Sequence, residues 1–96
     1  MTRVLVINSG SSSLKLQIID TGAAAGAELA WALVERIGEP VGTLTVRRSA
    51  LTGSPAEERT VQAGFADHSA ALARVLELAG ELRVHPTDLG VEAIGH

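Results

Sequence analysis

A short run of small and polar residues near the N-terminus has the residue types that bind phosphate. The run spans residues 8–15 and reads NSGSSSLK. Glycine and serine lack bulky side chains, so the backbone can approach a polyphosphate closely, and the hydroxyls add hydrogen-bond donors. The only lysine of the sequence, Lys15, lies where its ammonium could reach the same phosphates. The run therefore predicts a phosphate-binding loop of Gly10, Ser11, Ser12 and Ser13 with Lys15 beside it.

Two other interpretations of this run have to be weighed. Glycine and serine are favoured in any tight turn, so the run could be an ordinary hairpin turn. A Walker A loop is the other competitor, but it requires a glycine directly before its lysine and a helix directly after it. Here Leu14 precedes Lys15 and a strand-like pattern follows. The sequence therefore argues against a Walker A loop.

Asn8 is the polar residue at the end of the apolar segment that precedes the loop. Ligands in sheet proteins collect at strand ends, which favours a binding role for its carboxamide. The structural alternative is an Asx hydrogen bond from Asn8 to its own turn. The residues alone leave both interpretations open.

The hydrophobic pattern predicts the elements that position this loop. Residues 3–8 are apolar on both faces, which is typical of an interior strand covered on two sides, and residues 14–20 alternate like a strand returning beside it. Residues 21–26 are expected to form a loop, and residues 29–37 fit either a long strand with a bulge or a short helix. Further strands are predicted over residues 43–48 and 58–62, the second at a sheet edge because it is charged.

The second half of the chain contains one strongly predicted helix. Asp67 is a favourable N-cap, and the expected buried face comprises Leu72, Val75, Leu76, Ala79 and Leu82. Residues 86–88 end this helix, and residues 91–96 resemble the start of another strand. His68 and His85 are expected to be surface or capping residues, and His96 a structural residue at a strand end. The predicted fold is α/β, a mixed sheet with an opening β-hairpin in the order ββ(β)ββαβ.

Composition excludes several classes of function. Ninety-six residues make one domain at most, and the net charge of −3 gives no basic surface for nucleic acid or an anionic membrane. There is no cysteine, and the apolar run at the N-terminus is too short for a signal peptide or a membrane span. We therefore expect a cytoplasmic protein.

Four segments together resemble the acetokinase family, which comprises acetate kinases and the related propionate and butyrate kinases. They are residues 4–20 (VLVINSGSSSLKLQIID), 35–38 (ERIG), 67–72 (DHSAAL) and 91–96 (VEAIGH). The resemblance runs through the whole chain in order and is weak between residues 39 and 62. It implies the N-terminal part of a ribonuclease H-like domain, as in the superfamily of actin, sugar kinases and chaperone ATPases.

The resemblance also implies an activity and roles for residues. It implies transfer of the γ-phosphoryl group of ATP to acetate, giving acetyl phosphate and ADP, with Mg²⁺ as cofactor and a homodimeric full-length enzyme. Lys15 would contact ATP, Ser11 and Ser13 would line the phosphate loop, and Asn8 would lie in the magnesium and phosphate region. Because an amide oxygen is a weak ligand for a hard cation, Asn8 is expected to act partly through water.

By the same resemblance, much of the enzyme lies outside this sequence. Family members are roughly four times as long, a two-domain size, so residues 1–96 are expected to be an incomplete portion of the first domain, with the second domain absent. The catalytic residues would follow His96, and we expect no activity from the 96 residues alone. Propionate or butyrate remains possible as the acyl substrate. A nucleotide-binding module without catalysis is the alternative if the gene ends after His96.

Overall fold

The computed structural model describes residues 2–22 and 27–95. Within these ranges the strands are β1 (Arg3–Ser9), β2 (Ser13–Asp20), β3 (Ala27–Glu35), β4 (Gly42–Arg48), β5 (Glu57–Ala63) and β6 (Ala93–Gly95), and the helix is α1 (His68–Glu81). A single 3-10 turn, Ala50–Thr52, follows β4. The strands form one sheet in the order β5-β4-β3-β2-β1-β6, antiparallel from β5 to β1 and parallel between β1 and β6. The predicted mixed α/β architecture and element order are confirmed.

The opening hairpin forms as the alternation in residues 14–20 predicts. Arg3 pairs with Asp20 and Ser9 with Leu14, in an unbroken antiparallel register. Leu14, Leu16 and Ile18 are buried, whereas the residues between them are half-buried. Because side chains alternate between the two faces of a strand, this pattern fixes which face of the hairpin lies on the core.

The ambiguous third segment is a strand with a bulge. Its register against β2 shifts between Ile18 and Ile19, which leaves Leu29 as the extra residue. Leu29 and Ala30 are consecutive and both buried, as a bulge allows. The strand ends earlier than residue 37, because Arg36 adopts a left-handed conformation with φ of 62°.

The strand β5 lies at one edge of the sheet, as its charges predict, and pairs only with β4 among the described strands. Its carboxylates form ion pairs with arginines: Glu58 with Arg47 at 3.0 Å and Glu57 with Arg59 at 3.0 Å. The predicted loop over residues 21–26 is described only at residues 21 and 22, and its remainder lies outside the described residues, as does the expected strand-end residue His96.

The helix α1 covers one face of the sheet and begins as predicted. The Asp67 carboxylate accepts a hydrogen bond of 2.8 Å from the Ala70 N–H, which confirms the N-cap. The buried face differs from the predicted one, because Leu72 and Leu76 are only half-buried. Its members are Ala71, Val75, Leu78, Ala79 and Leu82. The small side chain of Ala71 is completely buried in this contact.

The other face of the sheet carries no described helix. Only Leu5 of β1 is buried, whereas Val4, Val6 and Ile7 are half-buried. The prediction that β1 is interior to the sheet is confirmed, since β2 and β6 flank it. The prediction that both of its faces are covered is wrong for the described chain, because α1 packs on the Leu5 face alone.

Candidate phosphate-binding site

The predicted loop residues lie at the tip of the β1–β2 hairpin. Asn8 and Lys15 are direct cross-strand partners on the sheet face that points away from α1. Side chains in such a pair lie about 5 Å apart at Cβ. The hairpin therefore brings the carboxamide, the ammonium and the serine turn together at one end of the sheet.

A tight turn closes this hairpin. The Gly10 N–H donates a hydrogen bond of 2.9 Å to the Ser13 carbonyl oxygen, so Ser11 and Ser12 form the turn itself. Gly10 has little room for a side chain, because a Cβ there would lie 2.6 Å from the Ser13 Oγ. A larger residue at position 10 would therefore require the Ser13 hydroxyl to rotate.

Two groups from elsewhere in the chain hold the turn from outside. The Ile37 N–H donates to the Ser12 carbonyl oxygen at 2.9 Å. The His68 Nε2 lies 2.7 Å from the Gly10 carbonyl oxygen and 3.1 Å from that of Ser13. From the sequence, His68 was expected to be a surface or capping residue, and this contact was not predicted. His68 lies 58 positions after Gly10 and 55 positions after Ser13 in the chain.

The backbone at the tip is therefore polarised. The carbonyl oxygens of Gly10, Ser12 and Ser13 all accept hydrogen bonds from within the protein. The N–H groups of Ser11 and Ser12 donate to no group in the described chain, and both residues are exposed. Successive free N–H groups in a turn attract anions.

Asn8 and Lys15 are also free to meet a ligand. The Asn8 side chain is exposed and forms no hydrogen bond within residues 2–22 and 27–95. The structure therefore contains no Asx turn at Asn8. Lys15 is half-buried and forms no ion pair with any described carboxylate. A strand follows Lys15, as expected for a hairpin and not for a Walker A loop.

A compact loop after β3 supports the Ile37 contact. The left-handed Arg36 turns the chain so that Ile37 buries its side chain and donates to the hairpin. The next N–H, that of Gly38, donates to the Phe65 carbonyl oxygen at 2.7 Å. Gly42 closes this region, because a Cβ there would lie 2.6 Å from a carbonyl oxygen of β3. The ERIG segment, residues 35–38, therefore stabilises the hairpin tip through the Ile37 hydrogen bond.

The site offers few protein ligands for a metal ion. Among the described residues, no three His, Asp or Glu side chains converge into a group that could hold one. Mg²⁺ usually keeps several waters and takes one or two protein oxygens together with substrate phosphates. The exposed Asn8 oxygen fits one such position. The Lys15 ammonium opposite it repels a bare cation and attracts a phosphate, so a metal here fits best together with a polyphosphate.

Two further features of the described chain concern its helix and its one cation–π pair. The helix α1 has 14 residues, and no described helix combines the length and the apolar character needed to cross a bilayer. Trp31 lies on the face away from α1, under the guanidinium of Arg47 at 4.8 Å from the ring centre. Arg47 also forms an ion pair with Glu58 of the edge strand β5.

The fold of this chain matches the N-terminal part of two solved kinase structures. The chain matches the structure of the acetate kinase of Porphyromonas gingivalis with a TM-score of 0.76 at 24% identity, covering 100% of this chain and 23% of that one. It matches a propionate kinase of Francisella tularensis with a TM-score of 0.69 at 22% identity, covering 100% of this chain and 22% of that one. At these identities the likeness establishes the fold, the N-terminal part of such kinases.

The sequence itself places the chain in a family. It is 42% identical to an acetate kinase of Corynebacterium aurimucosum and 43% identical to one of Streptomyces avermitilis, covering 100% and 99% of this chain respectively. A model of the acetokinase family matches residues 3–96. The chain belongs to the acetokinase family. It spans 22% of the length of each of these two relatives.

Proposed function

We propose that this chain supplies the ATP-phosphate site of an enzyme that phosphorylates acetate. In the reaction, a carboxylate oxygen forms a bond to the γ-phosphorus of ATP while the bond to the β–γ bridging oxygen breaks. That oxygen leaves with the electron pair on ADP, and acetyl phosphate is the other product. Membership of the acetokinase family and relatives named acetate kinase support this assignment.

The observation that carries the proposal is the polarised hairpin tip. Phosphoryl transfer depends on holding the phosphates and neutralising their charge. At the tip, the N–H groups of Ser11 and Ser12 donate to no described group, while the carbonyl oxygens of Gly10, Ser12 and Ser13 accept hydrogen bonds within the protein. A triphosphate therefore meets donors there, and few lone pairs oppose its negative charge.

Each predicted site residue has a role in this proposal. Gly10 keeps the turn narrow, the backbone N–H groups and hydroxyls of Ser11, Ser12 and Ser13 bind phosphate oxygens, and the Lys15 ammonium neutralises their charge. Asn8 is the proposed protein ligand to Mg²⁺, partly through water. When bound, the ion would lower the charge on the phosphates. No residue of this chain is assigned a catalytic role.

We further propose that the chain is the first part of a longer, two-domain protein, on the basis of its 22% coverage of relatives. The groups that bind the acid and stabilise transfer would then belong to the rest of that protein, so residues 1–96 alone would have no turnover. We also propose a homodimer that acts in the cytoplasm, where ATP is available.

A hydroxamate assay for acyl phosphate tests this function on the native product of the gene. With ATP and Mg²⁺ we expect product from acetate, and little from propionate or butyrate. Preference for propionate would favour the second candidate substrate, which the structural match to a propionate kinase supports. ATP binding without any acyl phosphate would contradict the transferase and favour a nucleotide-binding module.

A further inference from the structure

We propose that His68 is a positioning residue that directs the Ser11 N–H toward the bound phosphate. The inference rests on the proposed function, because it concerns how the same hairpin is held. His68 is the first residue of α1, is half-buried, and reaches the hairpin through its ring. Its Nε2 lies between the carbonyl oxygens of Gly10 and Ser13, at 2.7 and 3.1 Å.

The chemistry of this contact fixes the tautomer. Carbonyl oxygens only accept hydrogen bonds, so the Nε2 between them must carry the hydrogen and donate to both. The helix start that presents the ring is itself fixed, because the Asp67 carboxylate caps the Ala70 N–H. The donor therefore approaches the hairpin from the α1 side of the sheet, opposite the face that carries Asn8 and Lys15.

The planarity of the peptide unit transmits this contact to the ligand side. The Gly10 carbonyl and the Ser11 N–H belong to one planar trans peptide unit, in which the oxygen and the hydrogen point in opposite directions. When His68 holds the oxygen, the N–H is directed away from His68 and toward the open side of the turn. Without a donor at His68, this peptide unit could rotate and present its oxygen to the phosphate, which would repel it.

A purely structural role for His68 would make a different prediction. If the ring only joined α1 to the sheet, its loss would lower the stability of the whole chain and affect both substrates alike. A positioning role concerns the hairpin tip, so its loss raises the KM for ATP and leaves the KM for the acid unchanged. The two Michaelis constants therefore separate these roles.

The experiment uses the native product of the gene and compares four proteins. His68→Phe keeps a ring but removes the donor, His68→Gln keeps an amide N–H, and Ser69→Ala changes an exposed neighbour on the same helical turn. For His68→Phe we expect the KM for ATP to rise about tenfold, equivalent to about 1.4 kcal/mol, with the KM for the acid unchanged. We expect His68→Gln to recover most of this loss and Ser69→Ala to match the parent protein.

Lys15→Met, measured in parallel, separates the two proposals. If Lys15→Met weakens ATP binding but His68→Phe changes the KM for ATP less than twofold, the positioning role is wrong and the phosphate site stands. If neither variant affects ATP, the proposed function fails as well. An equal rise in both Michaelis constants, or no recovery with His68→Gln, also overturns the positioning role. Should His68→Phe not fold, His68→Leu takes its place under the same criteria.

Discussion

Removal of the Lys15 ammonium should weaken ATP binding strongly with little effect on folding. Lys15 forms no ion pair with a described carboxylate, so its charge is available to a ligand. A hydrogen bond between an ammonium and a phosphate contributes about 1.5–3 kcal/mol, so Lys15→Met should raise the Kd for ATP by about 10-fold to 150-fold. Methionine retains the unbranched stem of lysine, which limits the change in packing on the half-buried strand.

Isothermal titration of the native product with ATP and Mg²⁺ measures this change. Arg47→Met is the matched control, because Arg47 lies on the same sheet face and is paired with Glu58 away from the hairpin. We expect the control to change the Kd less than twofold. A Lys15→Met protein that unfolds at the parent temperature and binds ATP with the parent affinity would refute the assignment of Lys15.

Three further predictions concern the framework of the site. Each is a change in the free energy of unfolding, measured by urea denaturation. Gly10→Ala should lower the free energy of unfolding by about 0.5–1 kcal/mol, because the Ser13 hydroxyl that lies 2.6 Å from its Cβ has to rotate away, and by less when Ser13→Ala removes that hydroxyl. Equal losses in the two backgrounds would contradict this contact. Gly42→Ala should lower the free energy of unfolding by about 2–3 kcal/mol, because its Cβ meets a backbone oxygen at 2.6 Å. Gly80→Ala, on the open side of α1, should instead raise it by about 0.5–1 kcal/mol. Arg48→Met should cost about 1–3 kcal/mol, since its guanidinium donates to two backbone carbonyl oxygens and one carboxylate; no loss of stability would show that these bonds are dispensable.

The opening hairpin could be predicted from the sequence because its signals are local. Alternation in residues 14–20 fixes which side chains face the core, and glycine and serine mark the turn between the strands. The same alternation places Lys15 and Asn8 on one face once the register is known. The strands β4 and β5 also follow from local pattern, with β5 at the edge because it is charged, whereas the pattern of β3 left a strand and a helix open.

The contacts that hold the hairpin could not be predicted, because they depend on tertiary arrangement. His68 and Gly10 are 58 positions apart, and no pattern in either segment indicates their contact. The Ile37 contact depends on the left-handed conformation of Arg36, which an arginine in a strand-like segment does not suggest.

The orientation of α1 was predicted only approximately. Leu72 and Leu76 are more hydrophobic than Ala71, so pattern alone rotates the expected buried face toward them. In the structure Ala71 is fully buried, which the low hydrophobicity of alanine does not indicate. The C-terminus of α1 is likewise unusual: Arg83, with φ of 60°, occupies the left-handed position that glycine commonly fills.

The most direct test of the phosphate site is a crystal structure of the native product with Mg²⁺ and a non-hydrolysable ATP analogue. We expect phosphate oxygens about 3 Å from the backbone nitrogens of Ser11 and Ser12, with the Lys15 ammonium on the same phosphates and the His68 ring still on the Gly10 carbonyl oxygen. A triphosphate bound elsewhere, with no contact to the hairpin, would contradict it.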